Sequence, residues 1–360
     1  MTTTSPKLDQ QIYEEAKNRG LHGLDAPVTG GDSGAKAGTL TILAGGDKED
    51  FDTCLPVFEA MGKAINYEGK SGNGQHTKMC NQIAIAGALA GACEAMVYAK
   101  NAGLDVDIKL PPEDSSSDLI INGKAPFGIY FQDSMAKKLD KGAGITAVAA
   151  IVEHNTSGII SRKDAAITSP KDLVGKKYGT WNDPIELEMI KSIMKKEGAD
   201  FNQVKLVPNS DSNSITPIEN KVFDAAWIYH GWDGILAEQK GMKTNFFYMK
   251  DFVPAFDYYS PVIIANNDYL KSHKEEAKKF IQAVKKGYQY AIEHPEEAAD
   301  ILIKQAPALA NQRDFVLASQ KYLSSQYAAD KDKWGQFDSK RWNAFYAWAK
   351  EQGKVSQTNW

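Results

Sequence analysis

The stretch NAGLDVDIKLPPED, residues 101–114, separates two parts of the chain that differ in composition. A long helical pattern of small apolar residues precedes it, and a series of short strand-like runs follows it. All three cysteines, Cys54, Cys80 and Cys93, lie before this stretch, and all seven tryptophans lie after it. The stretch is therefore either an ordinary helix–turn–strand step or a junction between two pieces of chain with different origins.

Composition and charge exclude several classes of protein. The 360 residues suffice for two domains or for one two-lobed protein. A net charge of −4 lacks the basic excess of a nucleic-acid binder, and no apolar run reaches the roughly eighteen residues of a membrane span. The start, MTTTSPKLDQQ, does not resemble a secretory signal, so we expect the chain as written to stay in the cytoplasm. The cysteines have no CxxC or Cys/His spacing, so we expect no metal site.

Hydrophobic periodicity predicts an α/β protein on both sides of the stretch. Before it we predict a helix over 5–19, strands over 21–28, 39–46 and 63–69, a helix over 47–62, and a long helix over 73–102 that ends at Gly103. After it, strand-like runs alternate with helical ones as far as SPVIIANNDYL, residues 260–270, and the chain is mainly helical from about 272. Such alternation predicts mostly parallel sheets.

The segments LDAPVTGGDSGAKAGTLTILAGG and GKSGNGQHTKMCNQ resemble the β-hydroxyacid dehydrogenases, the 3-hydroxyisobutyrate and tartronate-semialdehyde reductase group. The resemblance covers about residues 1–105. It implies that Thr29, Gly30 and Gly31 form a loop for the substrate carboxylate, that Lys78 is the general acid/base, and that Asn81 orients the substrate.

Dehydrogenase chemistry also needs a nicotinamide cofactor, because no side chain carries a hydride. The family binds it at an N-terminal GxGxxG turn, and Met1 aligns with an internal segment beyond that turn. Gly72-Asn73-Gly74 lacks the third glycine, and GAGITA at 142–147 is followed by a strand-like run rather than a helix. We therefore predict no cofactor and interpret residues 1–104 as a half-Rossmann fragment whose loop, lysine and asparagine are inactive relics.

Four later segments resemble substrate-binding proteins of the alkanesulfonate/thiamine-pyrimidine group, most closely those for a formylaminopyrimidine precursor of thiamine. They are GLDVDIKLPPEDSSSDLIINGKAPFGIYFQ, EHNTSGIISRKD, SPKDLVGKKYGTWNDPIELEM and FDYYSPVIIANNDYL. The resemblance implies a two-lobed type II periplasmic-binding-protein fold over 105–360. We expect the first lobe at about 105–175 and 262–360 and the second at about 176–261.

A flat heteroaromatic ligand needs aromatic faces and a few polar partners. The predicted ligand-binding aromatic residues are Tyr130, Phe131, Trp181, Trp227, Tyr229, Trp232, Tyr258 and Tyr259. The predicted polar ones are Gln132, Asp133, Glu153, Asn182, Asp183 and Glu186. Core packing is an equally good interpretation of any single aromatic residue here. For the segment 342–348 helical spacing favours core packing.

The resemblance further implies a small pyrimidine as partner and, if the protein is exported, an ABC transporter permease; the binding-protein family is normally extracytoplasmic. Two alternatives stay open. One is an enzyme like the thiamine-pyrimidine synthases, which use a lysine-bound pyridoxal phosphate, although Lys124, Lys137 and Lys138 have no histidine close in sequence and no cysteine follows Cys93. The other is a residual or inactive β-hydroxyacid dehydrogenase, or a hybrid with neither activity. Since the binding-protein family's first strand is replaced by foreign chain, we also predict that residues 64–68 pair beside 106–110 in its place.

Overall fold

The computed structural model describes residues 6–29, 35, 38–75, 116–209 and 214–358. The chain divides into two compact units, one with the described residues up to 75 and the other with those from 116 onward. Several predictions lie partly or wholly outside the described residues. They concern the helix over 73–102, the strand at 106–110 with its pairing to 64–68, and the residues Gly30, Gly31, Lys78 and Asn81.

The first unit is built on one long strand. Its elements in chain order are α1 (Pro6–Asn18), β1 (Leu24–Asp25), β2 (Val28–Thr29), β3 (Leu40–Gly46), α2 (Lys48–Glu59) and β4 (Gly62–Gly69). β3 pairs in parallel with β4 and antiparallel with β1 and β2. Phe51 and Phe58 of α2 pack with Ile42 of β3 in a small apolar core.

The segment 21–28, predicted as one strand, is broken into β1 and β2. Pro27 lies at the break and has no backbone N–H to give to a ladder, while its carbonyl accepts a hydrogen bond from Leu43 at 3.0 Å. The prediction of a single strand was therefore wrong.

The second unit begins with α3 (Ser116–Ile121), β5 (Phe127–Tyr130), α4 (Gln132–Asp140), β6 (Ile145–Ala150), β7 (Ser157–Arg162), β8 (Lys177–Thr180), α5 (Pro184–Lys196), β9 (Lys205–Pro208), α6 (Ile215–Glu219), β10 (Ala225–Tyr229), α7 (Ile235–Gln239), β11 (Thr244–Tyr248) and β12 (Val262–Asn266). The chain then forms α8 (Asn267–Ser272), α9 (Lys274–Glu293), α10 (Pro295–Gln305), α11 (Arg313–Tyr327) and α12 (Ser339–Glu351). A π-helical turn, His230–Gly234, follows β10.

Two sheets organise this unit. One has the order β5-β12-β6, and the other has the order β11-β7-β10-β8-β9. β7 lies in the five-stranded sheet, although the predicted lobe boundary near 175 places it in the first lobe. The segment 151–156 connects the sheets in one direction and 249–261 connects them in the other.

The prediction of mostly parallel sheets was wrong for the described strands. β12 is antiparallel to both of its neighbours, and β7 is antiparallel to β10 and β11. In this unit the described parallel pairs are β8 with β9 and β8 with β10. A strand that enters from the other sheet is not the product of a βαβ crossover, so the handedness rule does not force it to be parallel.

Side chains of the connections and the last helix hold the two sheets together. The Asn155 amide nitrogen donates to the carbonyl of Phe256 at 2.8 Å, and its backbone N–H donates to Asp257 Oδ1 at 3.0 Å. Phe345 and Tyr346 of α12 are fully buried in the largest apolar core. The predicted core role of the segment 342–348 is consistent with this burial.

The end of the late strand differs from prediction. β12 stops at Asn266, whose side-chain oxygen accepts hydrogen bonds from the N–H groups of Asp268 and Tyr269 at 2.9 and 3.0 Å. This cap begins α8, because an asparagine oxygen satisfies helix N–H groups that lack a partner within the helix. The segment 267–270, predicted as strand, is therefore helical.

Candidate ligand-binding site

Two aromatic side chains face each other from the two sheets. Phe131 follows β5 of the three-stranded sheet, and Tyr229 ends β10 of the five-stranded sheet. Their rings are close to parallel, at 24°, with centroids 6.3 Å apart. Phe131 keeps 37% of its surface exposed, so its ring is open to a partner.

A second aromatic pair lies beside the first. Trp227 is two residues before Tyr229 in β10, so both side chains project from one face of the strand. Trp181, at the end of β8, lies 5.7 Å from Trp227 with the rings tilted by 42°. Trp181 is 46% exposed whereas Trp227 is buried, so Trp181 offers the accessible surface of this pair.

Asp133 brings a carboxylate to the same place from the first turn of α4. Burial raises its pKa to about 6, although backbone N–H groups of the helix start oppose the shift. Its Oδ1 atom is buried without a hydrogen-bond partner among the residues that the structure describes. A buried carboxylate oxygen in this state is a candidate acceptor for a ligand N–H group.

Two tyrosine hydroxyls lie near this carboxylate. Burial and then the Asp133 charge raise the pKa of Tyr229 and of Tyr258 above the ordinary tyrosine value. The Tyr229 hydroxyl is 3.2 Å from Ser260 Oγ. Tyr258 is fully buried, and its hydroxyl lies close enough to Asp133 and Asn155 for both side chains to act on its pKa. Both phenols stay protonated near neutral pH and can donate.

Ser157 is a residue that the sequence interpretation missed. It begins β7 directly opposite Tyr229, so the two side chains share one face of the sheet. Ser157 is 1% exposed, and neither its Oγ atom nor the indole Nε1 of Trp227 has a partner among the described residues. A serine in a buried strand was visible in the sequence, but its pairing with residue 229 was not.

Several predicted residues serve the fold instead. Gln132 is fully buried, with Nε2 donating to the carbonyl of Trp342 at 2.9 Å and Oε1 accepting from the N–H of Tyr259 at 2.8 Å. The Tyr259 ring lies 4.1 Å from the Arg341 guanidinium, and its hydroxyl accepts from the N–H of Asp338. These contacts fix α12 against the sheet and leave Gln132 and Tyr259 little capacity for a ligand.

Three more predicted residues make separate contacts. Tyr130 is buried and pairs with Val262 in the three-stranded sheet. Glu153 accepts a hydrogen bond from the N–H of Ala329 at 2.5 Å. Trp232 packs edge-on against Phe315 at 4.5 Å. The Tyr130 ring still lies beside the group around Tyr229, with its centroid 6.2 Å from that of Phe131, whereas the contacts of Glu153 and Trp232 are with other residues.

Glu186, another of the predicted polar ligand residues, is 3% exposed. Its carboxylate accepts from the Tyr178 hydroxyl at 3.0 Å, from Thr180 Oγ1 at 2.9 Å, and from the N–H groups of Trp181 and Asp183 at 3.4 Å. Burial raises its pKa while these donors oppose the shift. The carboxylate thus shapes the turn that presents Trp181.

The two residues between Trp181 and α5 also have local roles. Asn182 adopts a left-handed φ of 61°, a region that asparagine tolerates better than most residues. Asp183 caps α5 and lies 2.8 Å from Lys137 Nζ on α4. Burial raises the pKa of Asp183, but Lys137 and the helix N–H groups outweigh burial and hold it below its ordinary value. The ion pair links the two sheets' helices at the edge of the aromatic group.

In the first unit, Thr29 lies opposite Thr41 in β2–β3. The nearby Asp25 is 6% exposed and accepts hydrogen bonds from the N–H groups of Gly72 and Gln75 at 2.6 and 2.9 Å. In the GNG turn, residues 72–74, the N–H of Gly72 is thus bonded to a carboxylate and that of Asn73 to the carbonyl of Lys70, so neither is available to a phosphate.

The part of the chain that the structure describes holds neither a metal-binding cluster nor a membrane-spanning helix. In that part of the chain no group of three or more His, Cys, Asp or Glu side chains could hold a metal ion. Among the described helices none is both long and apolar enough to cross a membrane.

Comparison with protein families assigns both parts of the chain. Residues 94–298 match the family described as NMT1/THI5 like, and the chain belongs to that family. Residues 1–69 match the NAD binding domain of 6-phosphogluconate dehydrogenase, and residues 72–110 match the NAD-binding segment of NADP-dependent 3-hydroxyisobutyrate dehydrogenase. The predicted joining of two families is confirmed.

Curated relatives match the first part. An uncharacterised oxidoreductase of Bacillus subtilis is 56% identical over 105 residues, 29% of this chain and 36% of the relative. The NAD-dependent L-serine dehydrogenase of Pseudomonas aeruginosa is 43% identical over 107 residues, 30% of this chain and 36% of the relative. The chain thus spans about a third of the length of these relatives.

Solved structures match the larger part. The alkanesulfonate-binding protein from Xanthomonas axonopodis pv. citri bound to MOPS has a TM-score of 0.55 at 11% identity, covering 74% of this chain and 92% of that one. The periplasmic aliphatic sulphonate binding protein of Escherichia coli has a TM-score of 0.54 at 12% identity, covering 74% and 87%. A desulfurization enzyme, DSZB, scores 0.51 at 12% identity, covering 75% and 90%. The predicted periplasmic-binding-protein fold is confirmed, and enzymes share it.

Proposed function

We propose that the second unit binds a small flat heteroaromatic molecule of the thiamine-pyrimidine-precursor type between Phe131 and Tyr229. The observation that carries this proposal is the pair of near-parallel rings, one from each sheet, beside buried polar atoms that have no partner in the described chain. The same atoms would accept and donate hydrogen bonds to ring substituents.

The spacing of the rings suits an inserted aromatic ring. Two van der Waals contacts of about 3.5 Å, one on each face of the ligand, require about 7 Å between the flanking rings. The centroids are 6.3 Å apart. A relative movement of the two sheets by less than about 1 Å would therefore admit a flat ring and close on it.

The charges at the site favour a neutral or amino-bearing ligand over an anion. An anion placed beside the unpartnered Asp133 oxygen would meet a like charge in a poorly solvated site. Lys137, the nearby cation, is already paired with Asp183. A sulfonate, the ligand class in the names of the structural neighbours, therefore suits this site poorly.

The fold leaves the thiamine-pyrimidine-synthase alternative open, but the lysines do not favour it. Lys137 pairs with Asp183, and Lys138 pairs with Asp118 at 2.5 Å. Attachment of pyridoxal phosphate needs an amine that is free to attack an aldehyde, and both of these amines are held in ion pairs. Lys124 is exposed, outside the group around Tyr229. The residues do not fit the cofactor, and we derive no catalytic step. If the protein is exported, we infer delivery of the pyrimidine to an ABC permease.

Calorimetric titration with the formylaminopyrimidine tests the proposal. We expect micromolar or tighter binding by the wild type and at least about fivefold weaker binding by Phe131→Ala, since one stacking face is worth about 1 kcal/mol. Tyr290→Ala, which removes an aromatic residue of similar exposure outside the site, is the matched control. Absence of binding, or equal binding of an alkanesulfonate, would reject the proposal and favour a hybrid without this function.

A further inference from the structure

We propose that helix α11 forms a latch between the two sheets: it binds the π-helical turn that follows Tyr229 and so holds the Tyr229 ring opposite Phe131. The latch consists of residues 230–232 in the turn and of four residues on α11, Phe315, Ser319, Tyr322 and Leu323. The role given to Tyr229 rests on the proposed function, whereas the holding together of the two sheets is independent of any ligand.

One side of the latch belongs to the three-stranded sheet. Tyr327 of α11 lies in one apolar core with Ile263 of β12 and Tyr288 of α9. Gln320, also on α11, is 4% exposed and donates from Nε2 to the carbonyl of Ala291 on α9 at 3.4 Å. Because elements packed in a common core move as a rigid body, α11 should move with the three-stranded sheet.

The other side belongs to the five-stranded sheet. The π-helical turn begins at His230, directly after Tyr229 at the end of β10. The His230 ring lies 4.8 Å from that of Phe246 in β11. Such turns are rare and are frequently found at functional sites. Any movement of this sheet away from α11 therefore carries the turn and Tyr229 with it.

The two sides approach each other most closely at Gly231. Ser319 Oγ donates a hydrogen bond to the carbonyl of Gly231 at 2.6 Å, and Ser319 is buried. A Cβ atom at position 231 would lie 2.8 Å from Leu323 Cδ2 and 3.1 Å from Tyr322 Cδ1, so a neighbour would have to shift. Helix α11 thus packs directly onto the backbone of the turn, a contact that exists only while the two sheets are together.

Aromatic rings extend this contact on both sides of the glycine. The Trp232 ring is edge-on to that of Phe315, with centroids 4.5 Å apart. The His230 ring lies 5.0 Å from that of Tyr322, whose hydroxyl is 3.1 Å from the Tyr248 hydroxyl in β11. Separation of the sheets would break all of these contacts together, so they favour the closed arrangement. Trp232, which the sequence predicted as a ligand residue, serves this contact instead.

Pulsed electron spin resonance on the full chain without ligand tests the latch. Spin labels are attached through Lys195→Cys on α5 and Lys279→Cys on α9, both exposed, after the three native cysteines are replaced by serine. We expect one short distance in this parent chain, with the open form below about 10%. Gly231→Val should shift about half of the molecules or more to a longer distance, because valine occupies the space of Leu323.

Two further variants separate the latch from a general loss of stability. Ser319→Ala removes one hydrogen bond without adding bulk and should raise the open fraction at least about threefold. Leu323→Ala combined with Gly231→Val should restore the short distance, since it returns the space that valine takes. Ser325→Ala, on the same helix, is the matched control, because its hydroxyl bonds to the carbonyl of Tyr322 within the helix; it should match the parent chain.

The measured distances decide for or against the latch. An unchanged distance distribution in both Gly231→Val and Ser319→Ala overturns it, and so does a long distance that Leu323→Ala fails to shorten. The Kd of the formylaminopyrimidine should rise as the closed fraction falls, about twofold when half of the molecules are open. An unchanged Kd in such a variant overturns the role given to Tyr229. If the parent chain binds no pyrimidine, the proposed function fails, while the distances still decide the latch.

Discussion

Asp133 and Glu186 occupy equivalent places in the two halves of the second unit, yet their carboxylates differ in how many hydrogen bonds they accept. Each lies in the first turn of a helix that follows a strand, α4 after β5 and α5 after β8. Burial raises the pKa of both. Glu186 accepts four hydrogen bonds from its own turn, whereas Asp133 keeps one oxygen unpartnered within the described chain. Position in the fold therefore does not distinguish a structural carboxylate from a binding one, but hydrogen-bond occupancy does.

Substitution of each carboxylate tests this comparison, and we expect the largest difference in the free energy of unfolding. Glu186→Ala leaves the buried Tyr178 hydroxyl and Thr180 Oγ1 without their acceptor, so we expect a loss of about 3 kcal/mol in unfolding free energy. Asp133→Asn should change stability by less than about 1 kcal/mol, because that carboxylate satisfies few protein donors. Urea unfolding measures both, with Glu275→Ala on an exposed helix as control. A large loss in Asp133→Asn and none in Glu186→Ala would reverse the assignment.

Asp25 of the first unit is, like Glu186, a carboxylate whose oxygens accept hydrogen bonds within the protein. Its two oxygens accept the N–H groups of Gly72 and Gln75. We expect Asp25→Ala to destabilise this unit by about 2 kcal/mol, since two backbone donors lose a buried acceptor. Amide hydrogen exchange at residues 72–75 measures the effect, and Asp52→Ala at an exposed ion pair is the control. Unchanged protection would contradict the structural role.

The pH dependence of ligand binding should report the titration of Asp133. A ligand amino group bonds the ionised form of Asp133, whose pKa is about 6 before binding. The charged or titratable neighbours are Asp183, Tyr229, Tyr258 and Tyr346. As pH falls below about 6, a growing fraction is protonated, and the Kd should rise about tenfold per pH unit. Above pH 7 it should be flat. In Asp133→Asn the protein's contribution to this slope should vanish; a slope that persists there would assign the titration to the ligand.

A smaller effect is expected at the turn that Glu186 supports. Trp181→Ala should weaken pyrimidine binding by about 1 kcal/mol, or about fivefold, through loss of an aromatic contact. Glu186→Ala should weaken binding as well, by misplacing Trp181. Titration at matched folded fractions measures both, with Val174→Ala as an exposed control. If neither variant changes affinity, the ligand does not approach this turn.

We expect no binding of a nicotinamide dinucleotide to the first unit. The N–H groups of Gly72 and Gln75, in and just after the GNG turn, are bonded to Asp25, and a phosphate that used them would have to displace that carboxylate. A fluorescence titration of NADPH with the wild type should show no micromolar binding. Saturable binding with micromolar affinity would show that the first unit retains a nucleotide site.

The sequence predicted many elements and several correct members of the site, but not their arrangement. Strands β7, β8, β10 and β11 and the helix α5 follow from local patterns that the structure reproduces. The antiparallel pairing of β12 and the pairing of Ser157 with Tyr229 depend on how the chain alternates between sheets, which no local pattern encodes. Gln132 and Tyr259 looked like ligand contacts because their partners, Trp342 and Asp338, are about 80 to 210 residues away.

The bonded connections between the two sheets limit how the site can open. Asn155 ties the segment 151–156 to Phe256 and Asp257 in the returning connection, so the two crossings lie side by side and not at opposite corners. Two adjacent tethers favour rotation about themselves over sliding of one sheet across the other, and α12, which is bonded to α4 and α5, restrains that rotation further. Phe131 and Tyr229 would then separate along an arc centred on these tethers. A ring would enter from the side remote from the tethers, and its faces would be contacted before its edge.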